Sequence, residues 1–226
     1  MTFSIVGHCA KTGMLGVAIT TSSIAVGSRC PWVRAGVGAV ATQNVTKPSL
    51  GPDTLDLMAD GASAQDALNN AMATEPHPSY RQVIVIDAKG QVAEFSGTST
   101  LGNHGVAQGK GCISAGNLLR TSALPKTVVD VFERHEGTHL AERLLLALEA
   151  GLYEAGGEEG SVQSACLLVA DKLRWPLVDL RVDLDEHDPI KTLRALWAYY
   201  EPQMNDYVTR AVNPSDAPSY GVPGNE

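Results

Sequence analysis

The grouping of strands and helices along this chain limits its fold more than any other feature. Apolar segments occur in pairs joined by short turns, a pattern that predicts β-hairpins. Hairpins join antiparallel strands, whereas a parallel sheet needs a crossover helix between successive strands, so the pattern predicts antiparallel sheets. The pairs are residues 3–6 with 14–20, 83–86 with 92–95, and 163–170 with 177–182, and small-residue segments at 33–43 and 102–116 suit a further strand and short strands with tight turns.

Helices are predicted in the segments between the hairpins. Apolar residues between positions 55 and 62 recur at helical spacing, and Ser63 is a suitable N-cap for a second helix that extends to residue 73. Further helices are predicted at residues 126–134, 140–152 and 189–211. Helices grouped in this way are expected to cover the faces of the sheets. The 22 glycines, with many alanines, would let two sheets pack closely.

The chain length suits one large domain. We place this domain at residues 1–212 of the 226. The tail, residues 213–226, contains three prolines and two glycines, and we expect it to be loose or to act as an arm between chains. A homo-oligomer of two or more copies is therefore expected.

The charge balance disfavours several classes of partner. Seventeen Lys and Arg residues against 25 Asp and Glu residues give a net charge of −8, whereas nucleic acids and anionic membranes are bound by basic surfaces. No apolar run approaches the roughly 20 residues of a membrane span. The first residues lack the basic and apolar regions of a signal peptide. We expect a soluble cytoplasmic protein with no nucleic-acid or membrane partner.

Cofactor motifs are absent or stand in the wrong context. No CxxC pair occurs, which predicts reduced and mostly buried thiols rather than a zinc knuckle or a redox motif. Residues 36–41 spell GxGxxA, but a dinucleotide fingerprint follows a strand and opens a helix, so a close-packed strand is predicted instead. We expect no cofactor. The four cysteines are Cys9, Cys30, Cys112 and Cys166.

Residues 135–139 read HExxH, the zinc-binding motif of metalloproteases. The two histidines of that motif share a metal only when they project from one face of a single helix. Gly137 favours the end of a helix, and Thr138 is a good N-cap for the next one. We therefore expect a break between two helices and no zinc site at this motif.

Two acidic segments near the end of the chain suit structural roles. Asp188 followed by Pro189 is typical of an N-cap and first helical residue. Residues 179–183 alternate Asp, Arg and Asp on one strand face, which predicts ion pairs along a strand. Whether Asp183 and His187 bind a metal stays open at this stage.

The second residue of the chain carries the clearest chemical hypothesis. Initiator methionine is normally removed when a small residue follows it, so the mature chain would begin with Thr2. A terminal threonine combines a nucleophilic hydroxyl with a free α-amine, whose ordinary pKa of about 7.7–8.0 suits a general base. The alternative is an incidental residue at a strand end.

A family resemblance is carried by seven segments: residues 2–6, 16–18, 25–27, 35–43, 116–119, 163–165 and 179–183. Together they resemble a bacterial family catalogued as a domain of unknown function and assigned to the N-terminal-nucleophile (Ntn) hydrolase superfamily. The resemblance is collinear over about residues 2–200. It implies an α+β fold of four layers, an αββα sandwich of two antiparallel sheets flanked by helices. It also implies a hydrolase of the amide bond of a small molecule, with Thr2 as the first mature residue.

The resemblance assigns roles to particular side chains. Thr2 would attack the carbonyl with its own amine as base, and Asn117 would donate a hydrogen bond to the oxyanion. Ordinary roles remain open, with Asn117 as a turn residue and the hydroxyl groups as strand-end caps. The residues expected to line the substrate cleft are Thr20, Thr21, Ser22, Gln43 and Asn44.

A second function stays open beside hydrolysis. If Met1 remains attached, the nitrogen of Thr2 is part of a peptide bond and cannot act as a base. The chain would then be a non-catalytic small-molecule-binding or assembly protein that keeps the sandwich.

Overall fold

The computed structural model describes residues 1–222, in which ten strands and six α-helices alternate in groups. The strands are β1 (Thr2–His8), β2 (Leu15–Thr21), β3 (Pro31–Arg34), β4 (Gly38–Asn44), β5 (Arg81–Asp87), β6 (Val92–Ser96), β7 (Gly105–Gly109), β8 (Cys112–Asn117), β9 (Ser164–Ala170) and β10 (Val178–Val182). The helices are α1 (Leu50–Ala59), α2 (Ala64–Ala73), α3 (Leu124–Arg134), α4 (Leu140–Tyr153), α5 (Pro189–Tyr200) and α6 (Met204–Val212).

The strands form two antiparallel sheets, as the hairpin pattern predicts. One sheet has six strands in the order β10-β9-β2-β1-β8-β7, and the other has four in the order β3-β4-β5-β6. β1 is therefore a central strand, hydrogen-bonded to β2 on one side and to β8 on the other.

Alternation along the strands divides the apolar side chains among three clusters. Val6, Ile19 and Ile84 belong to the cluster between the two sheets. Phe3, on the opposite face of β1, belongs to the cluster covered by α3, α4 and α5, whereas Val83 belongs to the cluster covered by α1 and α2. Helices thus cover the outer faces of two facing sheets, which is an α+β sandwich.

Small residues serve two kinds of close approach. Ala39 and Ala115 lie in the cluster between the sheets, as expected. Glycines instead admit helical side chains: a Cβ on Gly16 would lie 2.7 Å from Leu144 of α4, and a Cβ on Gly7 would lie 2.8 Å from the ring of Phe132. The glycine excess therefore has a helix-to-sheet packing role that the sequence did not suggest.

Two predicted elements are wrong in their extent. Residues 33–43 form parts of two strands, because Gly36 adopts a φ of +69° and reverses the chain between β3 and β4. Residues 189–211 form α5 and α6, separated by a 3₁₀ turn at Glu201–Gln203. Pro202 within this turn lacks a backbone N–H, so it interrupts the helical hydrogen bonds.

The helix boundaries with local capping signals are confirmed. Ser63 accepts a hydrogen bond from the Asp66 N–H, and Asp188 accepts one from the Lys191 N–H. The HExxH segment does break between α3 and α4, with Gly137 at a φ of +103°. The cap of α4 is His139 rather than Thr138, because its Nδ1 accepts from the Ala141 N–H.

The structure describes the four thiols, one ion pair on β10 and part of the tail. All four cysteines are free, and three of them are buried. Arg181 pairs with Asp179 at 2.7 Å. The Arg210 guanidinium lies 4.0 Å from the ring centroid of Tyr220, so the first part of the tail contacts α6. The expected tail continues to residue 226, and its last four residues lie outside the described part of the chain.

Candidate active site

Thr2 lies at the start of the central strand β1, between one residue of each neighbouring strand. It is directly opposite Thr21 of β2 and directly opposite Asn117 of β8. Ser4, two residues further along β1, donates to Gln43 of the other sheet at 2.7 Å. Because residues two apart share a face, the Thr2 side chain also faces the space between the sheets.

The hydroxyl of Thr2 lies among hydrogen-bonding groups from β2. Its Oγ1 lies 2.9 Å from the Thr21 Oγ1 and donates to the Met1 carbonyl oxygen at 2.6 Å. Thr21 also donates to this carbonyl, and the Ser22 N–H lies 3.4 Å from it. Only 6% of Thr2 is exposed while Met1 covers it. The Met1 carbonyl therefore occupies a position where three donors converge.

A buried amide network extends from this point across the sandwich. We use this name for Ser4, Gln43, Gln82 and Asn117. The Oε1 of Gln82 accepts from Gln43 Nε2 at 2.8 Å and from Asn117 Nδ2 at 3.1 Å. Its Nε2 donates to the Gly116 carbonyl at 3.3 Å. These bonds fix the amide orientations, because turning one amide over would set two acceptors against each other.

Asn117 keeps one polar atom without a partner. Its Oδ1 is buried and accepts no hydrogen bond from residues 1–222. An unpaired buried acceptor costs about 1–3 kcal/mol. The free atom of Asn117 is therefore an acceptor, and its Nδ2 donates one of its two N–H groups to Gln82.

The structure adds one acid to this end of the sandwich. Glu158 lies beside Leu119, two residues after Asn117, through an isolated bridge. It is 1% exposed, and neither carboxyl oxygen has a hydrogen-bond partner in the described chain. Burial raises the pKa of Glu158 to about 8, and the positive N-terminal amine opposes that rise.

The side chain of Met1 fills a space beside the same loop. Its Sδ accepts from the Gly160 N–H at 3.1 Å, and a Cβ on Gly160 would lie 2.6 Å from its Cε. The missing side chain of Gly160 therefore leaves room for the terminal methionine.

Two of the residues expected to line the cleft, Thr20 and Asn44, have side chains that point away from Thr2. Thr20 faces the helical side of its sheet and donates to the Ser164 carbonyl at 2.8 Å. Asn44 has a φ of +70° and donates to the Tyr80 carbonyl at 2.7 Å, so its side chain joins two loops. The structure brings together Thr2, Thr21, Ser22 and Asn117, with Gln43 joined through the amide network.

Backbone strain occurs next to this cluster. Leu118 directly follows Asn117 and has a φ of +50°. A left-handed conformation at a residue other than glycine costs about 1–3 kcal/mol and is common at functional sites. Leu118 nevertheless keeps this conformation, with its N–H donating to the Leu101 carbonyl at 3.0 Å.

Sequence reasoning missed Gln82 and the burial of Glu158. Gln82 directly precedes the apolar run 83–86, so a polar residue at a strand start was the available signal. Glu158 follows two glycines and looks like an exposed loop residue. Among residues 1–222, no group of three or more His, Cys, Asp or Glu side chains is arranged to hold a metal ion. No helix in the same residues is long and apolar enough to cross a membrane.

Comparisons with known proteins agree with this architecture. A family model described as a family of unknown function, DUF1028, matches residues 2–193. The crystal structure of protein SPO2555 from Silicibacter pomeroyi, described with the same family, is 30% identical, covers 88% of each chain and has a TM-score of 0.80. Anbu, the ancestral beta-subunit from Yersinia bercovieri, is 11% identical over 90% of this chain and 96% of its own, with a TM-score of 0.43. No curated protein matches the sequence.

Proposed function

This chain belongs to DUF1028, a family of unknown function, and we propose that it is an amidohydrolase whose nucleophile is the hydroxyl of Thr2. The observation that carries the proposal is the convergence of hydrogen-bond donors on one carbonyl position beside that hydroxyl. The two-sheet sandwich and the sequence resemblance support an Ntn-hydrolase-like architecture for this chemistry.

Removal of Met1 converts Thr2 into a nucleophile with its own base. The free α-amine takes the hydroxyl proton as the Thr2 oxygen attacks the substrate carbonyl carbon. The amide nitrogen then leaves with that proton, and an ester to Thr2 forms. Water attacks the ester by the same route and releases the acid. The chemistry requires no cofactor.

Thr21 and Ser22 are suited to stabilise the oxyanion. The Thr21 hydroxyl and the Ser22 N–H both point at the Met1 carbonyl oxygen. A substrate carbonyl in the same position would receive both donors, and one such donor is worth about 3–4 kcal/mol in the barrier. The donor role expected for Asn117 would fall to the second N–H of its Nδ2, since the first is donated to Gln82. Its free Oδ1 suits the N–H of a substrate amide.

Glu158 suits proton exchange beside the nucleophile. Its pKa of about 8 lies close to that of an α-amine, and matched pKa values favour proton transfer. The carboxyl is buried near the start of the chain, and neither of its oxygens has a hydrogen-bond partner in residues 1–222. We assign it the role of holding or receiving the proton of the Thr2 amine.

The space beside Gly160 suits one side of the substrate. Met1 fills this space with an apolar, unbranched side chain. Its removal would leave room for an acyl or amino-acid side chain of similar size. We therefore propose small-molecule amides as substrates, and a homo-oligomer of two or more copies remains a prediction.

Two measurements test the proposal in order. Intact mass spectrometry of protein from its native host should show loss of one methionine. A panel of acylated amines, amino-acid amides and short peptides is then assayed for released amine, and Thr2→Ala should abolish any turnover. Thr127→Ala, in the middle of α3, is the matched control and should retain it.

Two results would contradict hydrolysis at Thr2. Complete retention of Met1 in the native host would leave no free amine at Thr2, and small-molecule binding without catalysis would then be the better function. Full turnover by Thr2→Ala would show that another group is the nucleophile.

A further inference from the structure

A cavity lies at the opposite end of β1 from Thr2. It has a volume of about 620 Å³ and is lined by His8 and Cys9, where β1 ends. Gly90 and Gly111, from two other hairpin turns, contribute to its wall together with the segment between α3 and α4. Seven residues of extended strand place this cavity about 20 Å from Thr2, so it is separate from the proposed active site.

The charge of this basic cavity is opposite to that of the whole protein. Lys11, Lys89, Lys110 and Arg143 line it, whereas Glu136 is the sole carboxylate among its described lining residues. Lys110 and Glu136 pair with each other at 3.1 Å. The chain as a whole carries a net charge of −8, so this concentration of cations is a local feature. A cleft lined by one sign of charge attracts ligands of the other sign.

Arg143 is a buried cation in the cavity wall whose side chain is held in place by Phe132. It is 5% exposed, its guanidinium lies 3.8 Å from the ring centroid of Phe132, and it donates to the Phe132 carbonyl at 3.1 Å from Nη2. It forms no ion pair with a carboxylate of residues 1–222. Burial lowers the pKa of Arg143, which reflects the cost of an unpaired buried charge. An anion at the guanidinium would offset this cost.

Two further features favour an anion at the same place. α4 begins at the cavity with Leu140, and the amino end of a helix carries partial positive charge. The Cys9 thiol also lines the cavity. Burial opposes its ionisation, but hydrogen bonds from Thr12 and Lys11 and the charge of Arg143 outweigh burial and lower its pKa.

We propose that the basic cavity is a binding site for a small organic oxyanion, a carboxylate or a phosphate. Arg143 is its principal ligand, because the planar guanidinium is held rigidly by Phe132 and suits two-point contact with an oxyanion. Lys11 and Lys89 supply additional charge at the rim.

The reactivity of Cys9 provides the test. Iodoacetate is a carboxylate, whereas iodoacetamide is its neutral counterpart, and both alkylate a thiolate by displacing iodide. Cys9 is the half-buried cysteine and the other three are buried, so mass spectrometry can follow its modification alone. We expect iodoacetate to react about tenfold faster, relative to iodoacetamide, than it does with free cysteine. The net negative charge of the protein would otherwise slow the anionic reagent.

Competition then identifies the oxyanion. Inorganic phosphate and acetate are added separately, with sodium chloride matching the ionic strength. Protection by phosphate alone supports a phosphate ligand, protection by acetate alone supports a carboxylate ligand, and protection by both supports recognition of either group. An iodoacetate preference no greater than that of free cysteine, or no protection by either anion, would overturn the proposal.

Variants of the basic cavity test the effect of its positive charge without disturbing the fold. Lys11→Met combined with Lys89→Met should reduce the iodoacetate preference severalfold, because both side chains are exposed and their loss leaves the core intact. Lys191→Met, an exposed lysine on α5 outside the cavity, should leave it unchanged. Arg143→Lys keeps the charge and should weaken phosphate or acetate protection, which tests the planar guanidinium without requiring Arg143→Ala to fold.

Discussion

Thr20 and Thr21 are adjacent in the sequence and lie on opposite faces of the six-stranded sheet. The hydroxyl of Thr21 is 2.9 Å from the hydroxyl of Thr2, whereas that of Thr20 donates to the Ser164 carbonyl at 2.8 Å. Both residues are buried threonines near the end of β2, so they form a matched pair for testing which face carries the chemistry.

Thr21→Val should lower turnover strongly. The substitution keeps the shape of the side chain and removes one donor from the proposed oxyanion position, which typically costs 10²- to 10³-fold in kcat. Thr20→Val should change kcat by only a few-fold, because its hydroxyl faces the helical side. The measurement is steady-state kinetics on the amide found by the substrate panel. Equal losses in the two variants would contradict the assigned face.

Glu158→Gln should change how stability depends on pH. With a folded pKa of about 8 and an unfolded value near 4.5, the folded state holds one more proton between these values. Stability of the parent protein therefore falls as pH rises from about 5 to 8, by about 1.4 kcal/mol per pH unit. The Glu158→Gln variant does not lose stability in this way. The difference in free energy of unfolding between the variant and the parent should therefore shift in favour of the variant as pH rises.

The neighbouring residue supplies the control for Glu158. Glu159 is exposed, and Glu159→Gln should show no such trend. Urea denaturation at pH 5, 6, 7 and 8 gives the free energies of unfolding. A constant difference between Glu158→Gln and the parent across this range would refute the raised pKa.

Glu75→Gln should destabilise the protein at neutral pH. Glu75 is buried and pairs with Arg81 at 2.9 Å and with Lys47 at 2.8 Å. Burial opposes ionisation, but the hydrogen bonds from Lys47 and Arg81 outweigh it and lower the pKa of Glu75 to about 2. We expect a loss of about 2 kcal/mol, less than the 3–5 of a fully buried pair because Lys47 is partly exposed.

The pH dependence of this loss has the opposite sign to that of Glu158. The contribution of Glu75 is complete above its unfolded pKa of about 4.5 and is lost as pH falls toward 2. The difference in stability between Glu75→Gln and the parent should therefore become smaller as pH falls. Thermal unfolding at pH 7, 4 and 3 measures it. Glu154→Gln, at an exposed position, should differ little from the parent at every pH.

Gln82→Leu should disrupt the amide network. The substitution leaves the Nδ2 of Asn117 and the Nε2 of Gln43 without their acceptor. Unpaired buried donors cost about 1–3 kcal/mol each, so we expect a loss of roughly 3 kcal/mol in the free energy of unfolding. The exposed Gln65→Leu on α2 is the control and should stay within about 0.5 kcal/mol.

A double-mutant cycle distinguishes a network from independent contacts. Gln82→Leu and Gln43→Leu together should cost less than the sum of the two single losses, because each removes the partner of the other. Additive losses in denaturant unfolding would show that the two amides contribute separately.

Elements with local signals could be predicted from the sequence. Turns between short apolar segments predicted the antiparallel sheets, and the Ser63 and Asp188 caps predicted two helix starts, because each signal involves residues only a few positions apart. The turn at Gly36 and the helix break at Pro202 were not predicted, so the structure has two strands and two helices where the sequence analysis predicted one of each. The candidate nucleophile Thr2 was likewise chosen from its position in the chain, and its catalytic role stays a prediction.

The surroundings of Thr2 depended on the tertiary structure. Which strands flank β1 decided that Thr21 and Asn117 face Thr2, and the pairing of β4 with β5 joined Gln43 to Gln82. Nothing near Glu158 in the sequence shows that a glycine-rich loop buries its carboxyl. The sequence by itself determined the strands, the helices and the candidate nucleophile. Packing between residues 19 or more positions apart decided the burial, partners and charge of the groups around it, because those depend on which distant segments exclude water from one another.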